Sequence, residues 1–414
     1  MRIITDLHLH SKWSRACSQD LNLPNIAKAC ERKGIQLVGT ADALHPKWFL
    51  DIKDLLAESG EGVYTLKDGS SPTRFMLTVE VSCIYKRGGK VRRVHHVLLF
   101  PGIAALERFS ESLSDRGFNI KSDGRPILGL DSEELLKMLL DVDERCLLIP
   151  AHAWTPWFSI FGSKSGFDSI EECFGDLAKH IYAIETGLSS DPLMNWRLSA
   201  LDNVFLVSNS DAHSCANLGR EANVFDMHTA DYPELRRILV EHDTARFIET
   251  LEFFPEEGKY HADGHRDCDF WCLPEETKRL HGMCPKCGKP LTIGVLNRVA
   301  ELADRPPDTA KPARSAPFRS IVPLAEVVAG SLGVSKTSKK VAKAMDELIS
   351  AGRTEFGILL DYPEDKLSTF ASPELVAAIM NMRQGKVEIR PGYDGEFGLV
   401  NVSSGKHKSQ ASLL

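Results

Sequence analysis

The sequence predicts an α/β protein: a parallel sheet or (β/α) barrel over residues 1–250, a small cysteine-rich module over 251–295, and a helical region over 296–403. Three observations predict this. Short β-rich runs alternate with helical stretches in the first part. Polar residues with ligand chemistry recur where those β-rich runs end, the place where (β/α) barrels carry their chemistry. Four cysteines then crowd into twenty residues before the pattern turns helical.

The expected strands are residues 3–7, 36–40, 75–80, 94–100, 146–150, 182–186 and 204–209, with a helix over 25–33 between the first two. Residues 304–317 are rich in Pro, Ala and charge and read as a linker or exposed loop. Beyond it, Val341, Met345 and Leu348 recur at helical spacing, with Ser/Thr before them and Gly352 after. Ser372, Pro373 and Glu374 open a further helix that Gly385 closes. Residues 404–414 read as a flexible tail. Residues 330–337 resemble a phosphate-binding loop, but Ser335 stands where the glycine before the lysine belongs and no strand leads in; ATPase chemistry is therefore rejected.

The chain has 414 residues, 43% of them hydrophobic, with no apolar run of the ~20 residues a membrane helix needs. Its start enters a strand without a signal-peptide layout, so a cytoplasmic protein is expected. Six of the ten cysteines are scattered, as in a cytosolic enzyme with buried thiols. Net charge is −7, which argues against a nucleic-acid partner until its distribution is read. From residue 276 onward 20 Lys+Arg face 15 Asp+Glu, against 30 and 42 in the rest. Bound cations would cancel part of the acidic excess.

Asp6-Leu-His8-Leu-His10 is the strongest short motif. Side chains two apart at a strand end share a face, so two imidazoles there suit one divalent metal. Later strand ends add Asp42, His45, Glu80, His95, His96, His152, Asp211 and His213. Strand alternation puts His95 and His96 on opposite faces, so one of them ligates, with His95 favoured. Farther on, Cys284-Pro-Lys-Cys287 is half of a zinc knuckle and Cys268 its third ligand. Cys272, His265 and His261 compete for the fourth place. A four-ligand site leaves no open position, so this zinc is structural.

The ligand order resembles the PHP phosphoesterases. Residues 39–48, 84–96, 150–157, 185–192 and 284–295 resemble, more narrowly, the endonuclease Q family, over nearly the whole chain. That resemblance implies a distorted seven-stranded (β/α) PHP barrel with two or three divalent metals (Zn²⁺, Mn²⁺ or Mg²⁺). It implies a DNA repair endonuclease that nicks 5′ of deaminated bases or abasic sites. His8, His10, Glu80 and Asp211 would hold one metal, and Glu80 would bridge to a second held by His152 and His95 or His96. Asp6 or Asp20, with Asp42, His45 and His213, would complete the set. Asp211, Glu80 and His152 are the residues on which catalysis would rest. The Asp42-x-x-His45 spacing departs from the adjacent Asp-His of many PHP enzymes and puts the role of His45 in doubt.

DNA contacts are expected from the 85–93 turn, through Tyr85, Lys86, Arg87, Lys90, Arg92 and Arg93, since five cations near a phosphoesterase site suit a phosphate backbone. Trp154, Trp157 and Phe158 are candidates for a pocket that holds an unstacked base. Glu185, Asn195, Trp196 and Arg220 are weaker candidates. The last residues, with Gln410, Leu413 and Leu414, look like a sliding-clamp-binding peptide. Two rival readings stand beside the nuclease: a small-molecule phosphatase, which needs neither knuckle nor helical appendage, and a silent DNA-binding scaffold, which needs no complete ligand set.

Overall fold

The computed structural model describes residues 1–350 and 352–402, so the peptide with Gln410, Leu413 and Leu414 lies outside the described residues. Ten strands frame the molecule: β1 (Arg2–Asp6), β2 (Leu37–Gly39), β3 (Arg74–Met76), β4 (Thr78–Arg87), β5 (Lys90–Leu99), β6 (Leu147–Pro150), β7 (Ala183–Glu185), β8 (Phe205–Val207), β9 (Ala222–Asp226) and β10 (Phe247–Glu252). β1, β2 and β3 pair in parallel, and β9 joins the other side of β1 antiparallel, followed by β10. A hairpin of Leu56–Gly60 and Val63–Leu66 extends the sheet past β3. A second sheet carries Ile127–Leu128, β4, β5 and β6 in that order, and β7 and β8 form a parallel pair. The architecture is α/β with mixed sheets.

Backbone bonds join these sheets end to end. Thr40 and Ala43 donate to the Met76 and Thr78 carbonyls, and Ala153 donates to Glu185. The strands are short and almost wholly buried, which is why they read as apolar runs and not as clean alternations. Phe75, Phe100 and Trp48 are fully buried on one side, and Phe205, Phe225 and Phe247 on the other. Each such ring contributes about 1.5–3 kcal/mol by leaving water.

The first helix, Leu23–Lys33, begins where the Asn22 side chain accepts from the Asn25 amide and ends at Gly34, whose φ of +89° closes the last turn. It buries Ile26, Ala27 and Cys30 against the sheet. At the far end of β4, Gly88 and Gly89 both take positive φ and Arg87 pairs with Lys90, giving the two-residue turn that their sequence demands.

The later residues do not separate cleanly. Helix Val295–Leu302 returns to the first part, where Arg298 donates to the Phe161 and Phe167 carbonyls. Strand Phe318–Ser320 then pairs with β10, although the residues before it read only as a linker. Next come helices Leu324–Leu332, Lys339–Leu348 and Pro373–Arg383; Ser338 and Ser372 cap the last two as their sequence suggests. Residues 330–337 begin inside the helix Leu324–Leu332 and follow no strand, and Lys336 is paired with Glu326, so the phosphate-loop reading stays rejected.

Candidate metal centre

Side chains from β5 and from the residues just after β1, β6 and β8 converge on one carboxylate of β4. Glu80, on β4, is fully buried and carries the centre. Its Oε2 lies 3.2 Å from His10 Nε2 and 3.6 Å from His8 Nε2; its Oε1 lies 2.7 Å from His95 Nδ1 and 3.2 Å from His152 Nε2. Asp211 closes the first side, with Oδ1 3.1 Å from His10 Nε2 and 3.7 Å from His8 Nε2. Two ligand groups result, His8/His10/Glu80/Asp211 and Glu80/His95/His152, each with donor atoms within 4.8 Å of one another.

The second layer aims these imidazoles. Glu185 takes His8 Nδ1 at 2.9 Å, the His152 amide at 2.8 Å and Asn209 Nδ2 at 3.0 Å. Asp42 takes His10 Nδ1 at 3.3 Å and is itself fixed by the amide and hydroxyl of Ser11 and the hydroxyl of Ser14. Carboxylates on Nδ1 leave Nε2 with its lone pair toward the cluster, the arrangement that ligating histidines adopt. His8 Nε2 is buried and has no hydrogen-bond partner.

The backbone is strained to bring the groups together. Ala41, Asp42, His152 and Asp211 all have positive φ, between 29° and 59°, where side chains are rarely tolerated. Gly187 packs on His152 so closely that a Cβ there would come within 2.6 Å of the His152 Cβ.

Electrostatics favours cations. Burial pulls the His8 and His10 imidazoliums down, yet the surrounding carboxylates overcome it and hold both well above the ordinary value. Burial pushes Glu80 up, but His95, Arg125 and His8 hold it well below the usual carboxylate range. Burial lowers His95 to about 4, so its lone pair is free at neutral pH. The donor set and the orphaned His8 nitrogen fit divalent metals.

Several expected ligands lie elsewhere. His96 faces away from the cluster, as alternation requires, with Nε2 2.8 Å from Ser132 Oγ and its ring on Phe174. Asp6 accepts from the Ser210 and Gly219 amides, outside both groups. Asp20 is exposed and also outside them. His45 stacks on Trp13 and meets the Lys121 carbonyl at 3.2 Å. His213 lies beside His10, ring centres 4.5 Å apart, without joining either group.

The expected DNA contacts divide in the same way. Trp154 is buried against Phe161 with its nitrogen on Asn195, so it is core and not a pocket wall. Asn195 and Trp196 are buried too, and fully buried Glu185 offers DNA no surface. Trp157 is 40% exposed, edge-on to Tyr260, and next to Phe158, whose ring packs on His95. Arg220 clamps the carbonyls of Ser210 and Asp211. Tyr85 bonds Ser132, Arg87 is paired with Asp131 and Glu133, and Arg92 is bonded to the Gly166 carbonyl over the Phe167 ring. Arg93 lies over Phe158, while Lys86 and Lys90 are exposed. The turn stands seven residues along β4 from Glu80, about 20 Å at strand rise, so Lys86, Arg87 and Lys90 are not close to the cluster, whereas Arg93 lies nearer, two residues before His95.

A separate quartet unites His265, Cys268, Cys284 and Cys287. Cys272 is outside it, buried with Sγ 3.2 Å from Thr277 Oγ1, and buried His261 is outside it as well. Sequence reasoning missed Ser11, Ser14 and Asn209 of the second layer, and it missed Arg125, whose Nη1 lies 3.0 Å from Glu80 Oε2. Arg125 sits in a short polar loop with no motif to mark it.

Two histidine-rich ligand groups hinged on one carboxylate, at the strand ends of an α/β scaffold, define a metal-dependent hydrolase. The lesion-specific endonuclease PfuEndoQ from Pyrococcus furiosus matches with a TM-score of 0.86 and 33% identity, over 97% of this chain and 95% of that one. The chain belongs to the endonuclease Q family. An endonuclease Q solved with a 27-mer duplex carrying an abasic lesion at its active site matches with a TM-score of 0.84 and 32% identity, over 99% of both chains. The uncharacterized protein YqxK of Bacillus subtilis is 31% identical over 96% of this chain and 99% of its own length. MJ0043 of Methanocaldococcus jannaschii is 32% identical over 62% of this chain but only 32% of its own length. Residues 323–386 match the MJ0043 C-terminal domain family.

Proposed function

We propose that the protein is a DNA repair endonuclease that hydrolyses the phosphodiester 5′ of deaminated bases (uracil, hypoxanthine, xanthine) or abasic sites. One observation carries this reading: the Glu80-centred double ligand group lies in a chain that matches, end to end, an endonuclease solved with an abasic lesion at its active site.

His8, His10, Glu80 and Asp211 would hold one ion, and Glu80, His95 and His152 a second. Bound divalent ions would supply an activated water and neutralise charge on the leaving oxygen. The chain's own groups do the rest. Glu185 and Asp42 orient His8 and His10. Asp211, 27% exposed, is the accessible carboxylate of the cluster; His10 and His8 outweigh its burial and keep it ionised, a ready partner for a bound cation. Trp157 and Phe158 offer an aromatic face beside His95 for an unstacked base, and Lys86, Lys90 and Arg93 reach the phosphates more distantly.

The scaffold for this centre is a distorted barrel of seven strands: β1, β2, the β3–β4 run, β5, β6, β7 and β8. The sheet-joining hydrogen bonds support it. His265, Cys268, Cys284 and Cys287 form a structural zinc module, and 296–403 grips DNA. The sliding-clamp reading of Gln410–Leu414 rests on its sequence. Unchanged clamp binding by a chain ending at residue 409 counts against it.

The test uses labelled duplexes with one uracil, hypoxanthine or abasic site, incubated with Mg²⁺, Mn²⁺ or Zn²⁺. A metal-dependent nick 5′ of the lesion, abolished in Asp211→Ala, is expected. Intact lesion DNA together with phosphate released from small phosphomonoesters would support the phosphatase reading instead.

A further inference from the structure

Among the described residues, Arg125 supplies the fixed positive charge that touches the metal centre. Its Nη1 donates at 3.0 Å to Glu80 Oε2, and Glu80 is the carboxylate that the two ligand groups share. Glu80 is fully buried whereas the Arg125 side chain is 29% exposed. The guanidinium is therefore partly open to solvent where it meets a carboxylate that is not.

The loop that carries it is pressed into place. The Gly124 amide donates to the Trp13 carbonyl at 3.1 Å, the Arg125 amide to Asp123 Oδ1 at 3.1 Å, and the Ser82 amide on β4 to the Pro126 carbonyl at 3.0 Å. Gly124 lies so close to Asp42 that a Cβ would fall 2.2 Å from its Oδ2. The same Asp42 fixes His10. Arg125 is thus held by the layer that holds the ligands.

Among the described residues only Nη1 of the guanidinium is engaged, which leaves most of its five donors for an incoming group. A planar fork over a cationic centre suits the paired non-bridging oxygens of a phosphodiester. We propose that Arg125 is a catalytic residue that grips the scissile phosphate and neutralises the charge that builds on its non-bridging oxygens. The assignment rests on the phosphodiesterase reading above. In the reaction the water oxygen bonds to phosphorus, the P–O3′ bond breaks, and the proton released by water ends on the 3′ oxygen. The guanidinium stays protonated throughout.

The rival role for Arg125 is a counter-charge that merely steadies Glu80. Wild type, Arg125→Gln and Arg125→Lys are compared as full-length, metal-loaded protein on lesion duplex. Single-turnover cleavage, bound metal, melting temperature and DNA binding by fluorescence polarisation are all read. Loss of one preorganised charge-stabilising donor lowers the rate about 10²–10³-fold. Arg125→Gln is expected to show that loss with metal content and melting temperature unchanged and DNA affinity within about threefold, since the interaction matures in the transition state. Arg125→Lys should recover part of the rate, because the charge returns without the fork. Cleavage by Arg125→Gln near the wild-type rate overturns the assignment. So does metal loss that parallels the rate loss, which would make Arg125 a support for Glu80. A wild type that leaves lesion DNA intact overturns the functional reading together with this one; a cleaving wild type beside an unaffected variant overturns this one alone.

Discussion

Glu185 shows how much one buried side chain sets. It orients His8 through Nδ1 and fixes the backbone of His152, so it reaches both ligand groups without joining either. Glu185→Ala is expected to weaken metal binding about 10–100-fold while the protein stays folded, read by titration with a metal-sensitive dye beside circular dichroism. Unaltered metal affinity would contradict this reading. In the sequence Glu185 is one acid at a strand end, and only its neighbours in space reveal what it holds. The candidate ligand groups could be anticipated, because His-x-His at a strand end in company with Glu80, His152 and Asp211 is a set of donors suited to a metal. Asp6, Asp42 and His45 carried the same ligand chemistry in the same pattern. What removes them from the ligand groups is local: amides, hydroxyls or a carbonyl already occupy them.

Among the elements, β4 and β5 were legible in part: strands were expected over 75–80 and 94–100, and the structure runs them over Thr78–Arg87 and Lys90–Leu99. Alternation requires that His95 and His96 part company, and the register that sets Ser82 opposite His95 gives His95 the face of Glu80. The turn that joins them was also legible in its two glycines, but its distance from the site was not, since strand length sets it. The cysteine module was legible as a pair plus a third ligand. The fourth was ambiguous because His265 and Cys272 lie on the two strands of one hairpin, and only the folded hairpin shows that Cys272 turns to Thr277. If the proposed zinc module is right, Cys284→Ser should release one zinc per chain and lower the melting temperature, while ions at the Glu80-centred groups stay. Elemental analysis with thermal melting checks this; full zinc retention would refute the quartet.

For the whole molecule, burial of charge matters most. Lys33 and Glu355 form an ion pair at 3.1 Å between the first helix and the helical region, both largely buried. Removing one partner of such a pair costs about 3–5 kcal/mol. Glu256 is buried with one oxygen unpartnered, and burial, helped by Asp191, pushes it up to about 8. The folded state therefore keeps a proton that the unfolded state loses near 4.5. This contribution to stability is fully present below the unfolded value and declines as pH rises to about 8. Glu256→Gln should accordingly lose less melting temperature between pH 5 and 8 than wild type does, a difference that scanning calorimetry measures. Parallel profiles would contradict it. Strand Phe318–Ser320 and helix Val295–Leu302 are also properties of the whole chain: both are held by distant partners, and their own residues carry no signal strong enough to place them.

The claim on which the account turns is that Glu80 hinges a multi-metal centre. The most direct measurement is metal stoichiometry by elemental analysis of wild type and Glu80→Ala, purified alike and assayed on lesion duplex. Wild type should carry two or three ions beyond one zinc and should nick the duplex; Glu80→Ala should keep the single zinc, lose the others and fail to nick. A Glu80→Ala protein that retains the wild-type metal content, or that nicks at the wild-type rate without it, would contradict the account.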